Sequence, residues 1–343
     1  MRTIQMTRED LIRDFLNTLL IPQTQETLFK YVLVPSISDT KIQLMFDIPS
    51  ALLTQVQPLI AQVEEWLKKT FPNHHIFCGV TSEKKIQPKK LLTFEKISHI
   101  ICVASGKGGV GKSTTAVNLA IALAQQGKRV GLLDADIYGP SLPQLLDLHE
   151  KPSLTSDKKL LPLIKYGIQV LSIGLMIPAD KAVIWRGPLV QGAFLQLLKE
   201  ADWDVDVLVI DMPPGTGDVQ LTLAQQIQVS GAIIVSTPQD LALIDATRAL
   251  RMFQSVKVPI LGIIENMSFF ECPECHHQSH IFHHGGAHQT AQTLSIPFLG
   301  EIPLDIATRI GSDAGKPITI YEPEHSCSKI YHQIASKLIH VLF

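Results

Sequence analysis

One segment, Gly106-Lys107-Gly108-Gly109-Val110-Gly111-Lys112-Ser113, carries the spacing G-x-x-x-x-G-K-S. Glycines so placed let successive backbone N–H groups wrap an anion, and a helix starting there adds the positive end of its dipole. Lys112 can then reach the β- and γ-phosphates of a nucleotide, while the Ser113 hydroxyl can ligate Mg2+. Two apolar runs end in carboxylates, Leu133-Asp134-Ala135-Asp136 and Val207-Leu208-Val209-Ile210-Asp211. A carboxylate after such a strand can hold a magnesium-bound water. Asp211 is followed by Met212-Pro213-Pro214-Gly215-Thr216-Gly217-Asp218, a segment suited to switching on the γ-phosphate. A different chemistry belongs to Cys272-Pro273-Glu274-Cys275. Two thiolates three positions apart grip one side of a metal centre but do not complete four ligands.

The elements that must position these residues follow from periodicity. Residues 99–104, 130–133, 205–210, 232–236 and 260–265 read as short apolar strands. Helical patterns cover 114–126, 189–199 and 242–255. Alternating β and α with near-continuous apolar strands predicts an α/β fold whose mostly parallel sheet is covered by helices on both faces. Ligands of such sheets sit beyond the strand C-termini, where the motifs fall. Before this lies a small α+β domain, with helical patterns in residues 11–19 and 52–67 and strands expected at 29–35, 41–48 and 75–80. The expected division is residues 1–82, a linker over 83–96 and the nucleotide-binding domain over 97–343.

With 343 residues, 45% hydrophobic and 18% charged, the chain has material for two cores. Its net charge of -2 argues against bulk attraction to nucleic acid or anionic lipid, so neither partner is expected. Five sparse cysteines with one C-x-x-C pair are no disulfide framework and suit the cytoplasm. Cys78, Cys102 and Cys327 are expected to be structural.

Lys107, directly after the first glycine, marks a variant loop similar to that of dimeric ATPases such as the nitrogenase iron protein and the partition ATPases. Four strings sharpen the resemblance: Asp136-Ile137-Tyr138-Gly139-Pro140-Ser141, Trp185-Arg186-Gly187-Pro188, Asp211-Met212-Pro213-Pro214-Gly215-Thr216-Gly217-Asp218 and Glu265-Asn266-Met267-Ser268. Together they resemble the Mrp/ApbC family of ATP-dependent iron–sulfur cluster carriers over about residues 95–335. The resemblance implies an ATP-hydrolysing homodimer, and turnover is expected to be slow because a switch gains nothing from rapid hydrolysis. ATP would lie against Gly106 through Thr114, with Lys107 reaching the partner's nucleotide. Asp136 would activate water, and Ser113, Asp134 and Asp211 would organise Mg2+. Asn266 would meet the adenine, and residues 303–305 would close its pocket. It also implies a [4Fe–4S] cluster bridging two subunits through Cys272 and Cys275, received from a donor scaffold and passed to apo iron–sulfur proteins.

The chain departs from that pattern after Cys275, where residues 276–288 hold six histidines in thirteen positions. Imidazoles suit zinc, so a zinc-stabilised nucleotide-dependent chaperone stays open at this point. So does a positioning ATPase, because the stripe Ile330, Ile334, Leu338, Ile339 and Leu342 could serve a membrane as well as a docked helix. The small domain resembles, more weakly, one related to cytosolic iron–sulfur assembly factors. Its usual Asp-Pro-Glu signature is replaced by Ile21-Pro22-Gln23-Thr24-Gln25-Glu26.

Overall fold

The computed structural model describes residues 7–22, 24–33, 35–81, 91–136, 139–176 and 187–343. The chain divides into two compact units, Met1–Lys89 and Lys90–Phe343.

In the smaller unit, α1 (Arg8–Thr18) begins at a capping box in which Thr7 and Asp10 satisfy each other's backbone N–H groups. The sheet follows the order β1 (Ser36–Ile37), β2 (Lys41–Asp47), β3 (His75–Thr81), and α2 (Leu53–Thr70) connects the parallel pair β2–β3. Alternate residues Ile42, Leu44 and Phe46 of β2 meet Val56, Val63 and Leu67 of α2 in one core. Phe15 stacks on Trp66 at 4.1 Å. The strand expected at 29–35 is instead a 3-10 turn over Leu28–Tyr31. Glu26 draws both Lys30 and Tyr31 onto its carboxylate and curls the chain there. Among the described residues of that stretch, pairing with β2 survives at Val32 and Leu33.

Most of the expected linker, residues 83–90, lies outside the described residues. Residues 91–96 belong to the larger unit, where Leu92 donates to Gln226 and accepts from Gln228, and Leu92 and Phe94 lie on its core.

The larger unit contains β4 (Ile97–Ala104), α3 (Lys112–Gln125), β5 (Val130–Asp134), α4 (Leu142–Leu145), β6 (Leu163–Lys165), β7 (Ile168–Ser172), α5 (Gly187–Glu200) and β8 (Val205–Asp211). It continues with α6 (Asp218–Gln226), β9 (Gly231–Ser236), α7 (Asp240–Ser255), β10 (Ile260–Glu271), β11 (Gln278–Ser279) and α8 (Gly286–Leu294). Then come β12 (Phe298–Leu304), α9 (Ile306–Asp313), α10 (Ile318–Tyr321) and α11 (Ser326–Leu342). The strands run in the order β11-β10-β9-β4-β8-β5-β7-β6, with β12 also on β10; only the β6 and β11 pairings are antiparallel. One sheet face packs on α5, α6, α7 and α8, the other on α3 and α11, so β5 and β9 are buried at every position and β4 from Ile100 to Ala104.

The C-terminal stripe is a docking face. Tyr331, Ile334, Ala335 and Leu338 of α11 are buried against α3 and β12. No helix among the described residues is long and apolar enough to cross a membrane.

Candidate nucleotide cleft and cysteine hairpin

Register brings the acidic residues together. In the parallel pairings Ser172, Asp134 and Asp211 stand side by side, with Val103 of β4 next in the row. Neighbours in such a row point to the same face, so two carboxylates meet at the strand ends. Asp134 accepts from the Ser172 hydroxyl at 2.9 Å and from the Asp136 N–H at 3.0 Å. Burial first, then the Asp211 charge, push its carboxyl up to about 7. Burial also raises Asp211, against the pull of Lys112.

The loop between β4 and α3 closes over this row. Gly109 and Gly111 have φ of 81° and 83°, conformations that only glycine adopts at little cost. A Cβ on Gly108 or Gly109 would meet nothing within 4 Å, so the loop faces open space. At Gly111 a Cβ would strike the Asn266 amide, and at Gly106 the backbone of Asp245 in α7. The Lys112 ammonium, 6% exposed, pairs with Asp211 and lies 3.1 Å from Ser113 Oγ. Asp211 Oδ2 is buried with no hydrogen-bond partner among the described residues.

A cavity of about 490 Å³ opens here, lined by Lys107, Gly108, Gly109, Lys112, Asp136 and Pro214 among others. Lys107 is half-buried and belongs to no ion pair among the described residues. A second cavity of about 400 Å³ shares Gly111 and Thr114 with the first. Its wall is mainly apolar: Met267, Phe270, Ile302, Pro303 and Leu304, with Asn266 and Asp305. Asn266 donates to the Val110 carbonyl at 2.8 Å, fastening β10 to the loop. Beside it, Met267 adopts φ 57° where β10 slips register against β12. The expected phosphate and base positions are therefore contiguous. Ile137, Tyr138, Trp185 and Arg186 lie outside the described residues.

The strand expected to end at Glu265 continues to Glu271 and delivers the cysteines to a hairpin with β11. Cys272 N–H donates to the His277 carbonyl at 3.0 Å, and His276 N–H to the Cys272 carbonyl at 2.9 Å. The turn aims the N–H groups of Cys275 and then Glu274 at the Cys272 sulfur, holding its thiol below the usual range. Cys272 is half-buried and Cys275 exposed. Burial pushes Cys102 and Cys327 up to about 12 and Cys78 up to about 11, as inert thiols.

Groups of three or more potential metal donors within 4.8 Å are, among the described residues, Asp305–His325–Cys327 and Glu265–His284–Glu301. Neither contains Cys272 or Cys275, so among the described residues no histidine of the run completes a three-donor group with the pair. Ser172 was not anticipated: it arrives on β7, whose brief apolar pattern, Ile168–Ser172, gave no strand signal beside the turn at Tyr166-Gly167.

A family model described as NUBPL iron-transfer P-loop NTPase matches residues 96–339. The chain belongs to this family. An Arabidopsis thaliana relative named "Iron-sulfur protein required for NADH dehydrogenase, mitochondrial" is 49% identical over 250 residues, 72% of this chain and 80% of its own. The "Iron-sulfur cluster carrier protein" of Escherichia coli K12 is 49% identical over 249 residues, 72% of this chain and 68% of its own. A nucleotide-binding protein from Archaeoglobus fulgidus, solved with ADP, matches at TM-score 0.60 and 39% identity, over 69% of this chain and 93% of that one. This NUBPL-family chain thus joins a P-loop NTPase fold to an exposed cysteine hairpin, as its motifs imply.

Proposed function

We propose that the chain is an ATP-dependent carrier that takes an iron–sulfur cluster from a donor scaffold and passes it to apo-proteins. The observation that carries this reading is the hairpin: one thiol held below its usual range, a second exposed, and, among the described residues, no three-donor group that includes either of them. Half a ligand set is what a shared cargo needs. Two copies supply four thiolates, and a [4Fe–4S] cluster held between them by exposed ligands is easily surrendered. The names borne by the Arabidopsis and Escherichia coli relatives support the same cargo.

The chain's own residues account for the nucleotide half. Phosphates would fill the open side of Gly108 and Gly109, with Lys112 turning toward them from Asp211. Ser113, Asp134 and Asp211 would hold Mg2+, whose charge offsets the phosphates. The unpartnered Asp211 oxygen and the crowded carboxylate row fit a divalent cation. Asp136, on the cavity wall, would orient the attacking water, and the second cavity would take the adenine. Lys107 would reach the nucleotide of a second copy, making hydrolysis dependent on the homodimer. Free thiols and a labile cluster call for a reducing compartment such as the cytoplasm.

Anaerobic reconstitution of the full chain with iron and sulfide tests the reading. About four irons and four sulfides per dimer are expected, lost in Cys272→Ser and in Cys275→Ser. Retention of cluster by both variants, or zinc bound through Cys272 without labile sulfide, would overturn it.

A further inference from the structure

A second cluster of ligand groups lies at the far end of the histidine-rich excursion. Glu265 of β10 is fully buried, and Glu301 of β12 stands beside it, half-buried. The Ser268 hydroxyl lies 2.6 Å from Glu265 Oε1 and 3.2 Å from Glu301 Oε2, yet its single proton serves one of them. The N–H groups of Gly285 and Ala287, at the start of α8, donate to Glu265 at 3.2 and 2.7 Å. Those bonds offset part of one charge and none of the other. Among the described residues no lysine or arginine pairs with either glutamate. Adjacent carboxylates in a buried setting are costly without a cation.

His284 brings an imidazole nitrogen to the same place. One donor atom from each of Glu265, His284 and Glu301 lies within 4.8 Å of the others. His284 is exposed, which leaves an entry path, and its ring lies 4.2 Å from that of His280.

We propose that Glu265, His284 and Glu301 bind one divalent transition-metal ion of the zinc class, at a site separate from Cys272 and Cys275. One imidazole and two carboxylates are borderline and hard donors, a set that suits zinc and disfavours soft ions such as Cu(I). The bound ion fastens the excursion over residues 272–285 to β10 and β12 where it rejoins the sheet. It therefore restrains the hairpin that carries the cysteines without touching their sulfurs. A zinc-class site and an iron–sulfur cargo become compatible in one chain, at opposite ends of one loop.

Cobalt titration of the full-length, metal-free chain carrying Cys272→Ser and Cys275→Ser tests the site, because Co2+ reports its ligands by colour. Saturable binding is expected with the visible bands of nitrogen and oxygen ligation and no sulfur-to-cobalt charge-transfer band. Adding His284→Ala should weaken it about 100-fold or more, since even an outer-shell partner is worth 10- to 100-fold. Glu301→Gln should act in the same direction. His276→Ala, an exposed histidine outside the cluster, should change nothing. No saturable cobalt binding, or equal losses from His276→Ala and His284→Ala, would overturn the site. Because the cysteines are absent from this experiment, failure here leaves the cargo reading intact, and failure of cluster loading leaves this site intact.

Discussion

The nucleotide cleft and the cysteine hairpin are built on opposite principles. In the cleft, the Lys112 ammonium and Asp211 carboxylate are almost wholly withdrawn from water, and the strand register fixes both Asp134 and Asp211. Glycines bend the loop where side chains would collide, and Asn266 ties it to a neighbouring strand. In the hairpin, two backbone bonds hold a turn whose outer cysteine faces solvent. The difference is one of completeness. A site that meets the same ligand on every cycle gains from burial and fixed dipoles, which need no reorganisation when the ligand arrives. A site that surrenders its cargo gains from being open and unfinished.

If the two regions are independently built, each can be destroyed while the other survives. The largest effect is expected from Lys112→Ala, which removes the phosphate-facing cation and should abolish ATP binding by calorimetry. Iron and sulfide uptake should persist. The same change leaves Asp211 buried without its partner, at a stability cost of about 3–5 kcal/mol. Thermal unfolding therefore belongs beside the binding measurement. Loss of cluster loading from a chain that is still folded would show that the hairpin depends on the cleft after all.

A sharper version of the comparison concerns Lys107, the one cleft residue expected to act on another copy. Its side chain is half-buried and, among the described residues, free of ion pairs, so no described partner in its own chain holds its charge. Lys107→Ala should lower ATPase turnover by about three to five powers of ten, the range for a charge supplied in trans. Affinity for ATP and the melting temperature should change little. Mixing Lys107→Ala with Lys112→Ala chains should restore part of the turnover, because each mixed pair keeps one complete site. No restoration would place Lys107 in its own cleft.

The two regions were also unequally legible. The cleft could be read from order along the chain, because its parts are strand ends, and apolar strands ending in Asp134 or Asp211 announce themselves. Ser172 escaped because its strand is five residues long and lies next to the turn at Tyr166-Gly167. The 3-10 turn at Leu28–Tyr31 escaped because an apolar run does not reveal the grip of Glu26 on Lys30 and Tyr31. For the hairpin, spacing identified the cysteines but not their surroundings. Six histidines nearby suggested nitrogen ligands, yet among the described residues none completes a three-donor group with the cysteines, and His284 joins two glutamates from β10 and β12 instead. Where the cysteines are delivered depends on the extension of β10 past Asn266, a tertiary outcome in which Phe270 pairs with β12 and Phe270 and Glu271 pair with β11.

The smallest effect tests whether the cleft stores the strain that its crowding implies. Asp134 has an ordinary value of 3.8, raised in the folded chain to about 7 by burial and by Asp211. Between those two values the folded chain keeps a proton that the unfolded chain has already lost. Stability without nucleotide should therefore fall as pH rises through that window and level off above about 7. Asp134→Asn keeps an acceptor for the row but no longer titrates, so its denaturant midpoint should depend less on pH over the same range. The wild-type chain should bind Mg2+ and ATP more tightly as pH passes about 7, when Asp134 ionises and a cation relieves its repulsion with Asp211. The variant should bind more weakly and without that rise. Parallel pH profiles for the two proteins would place the strain outside Asp134. A flattened one would show that the empty cleft holds its carboxylates together at a cost which the nucleotide and its metal remove.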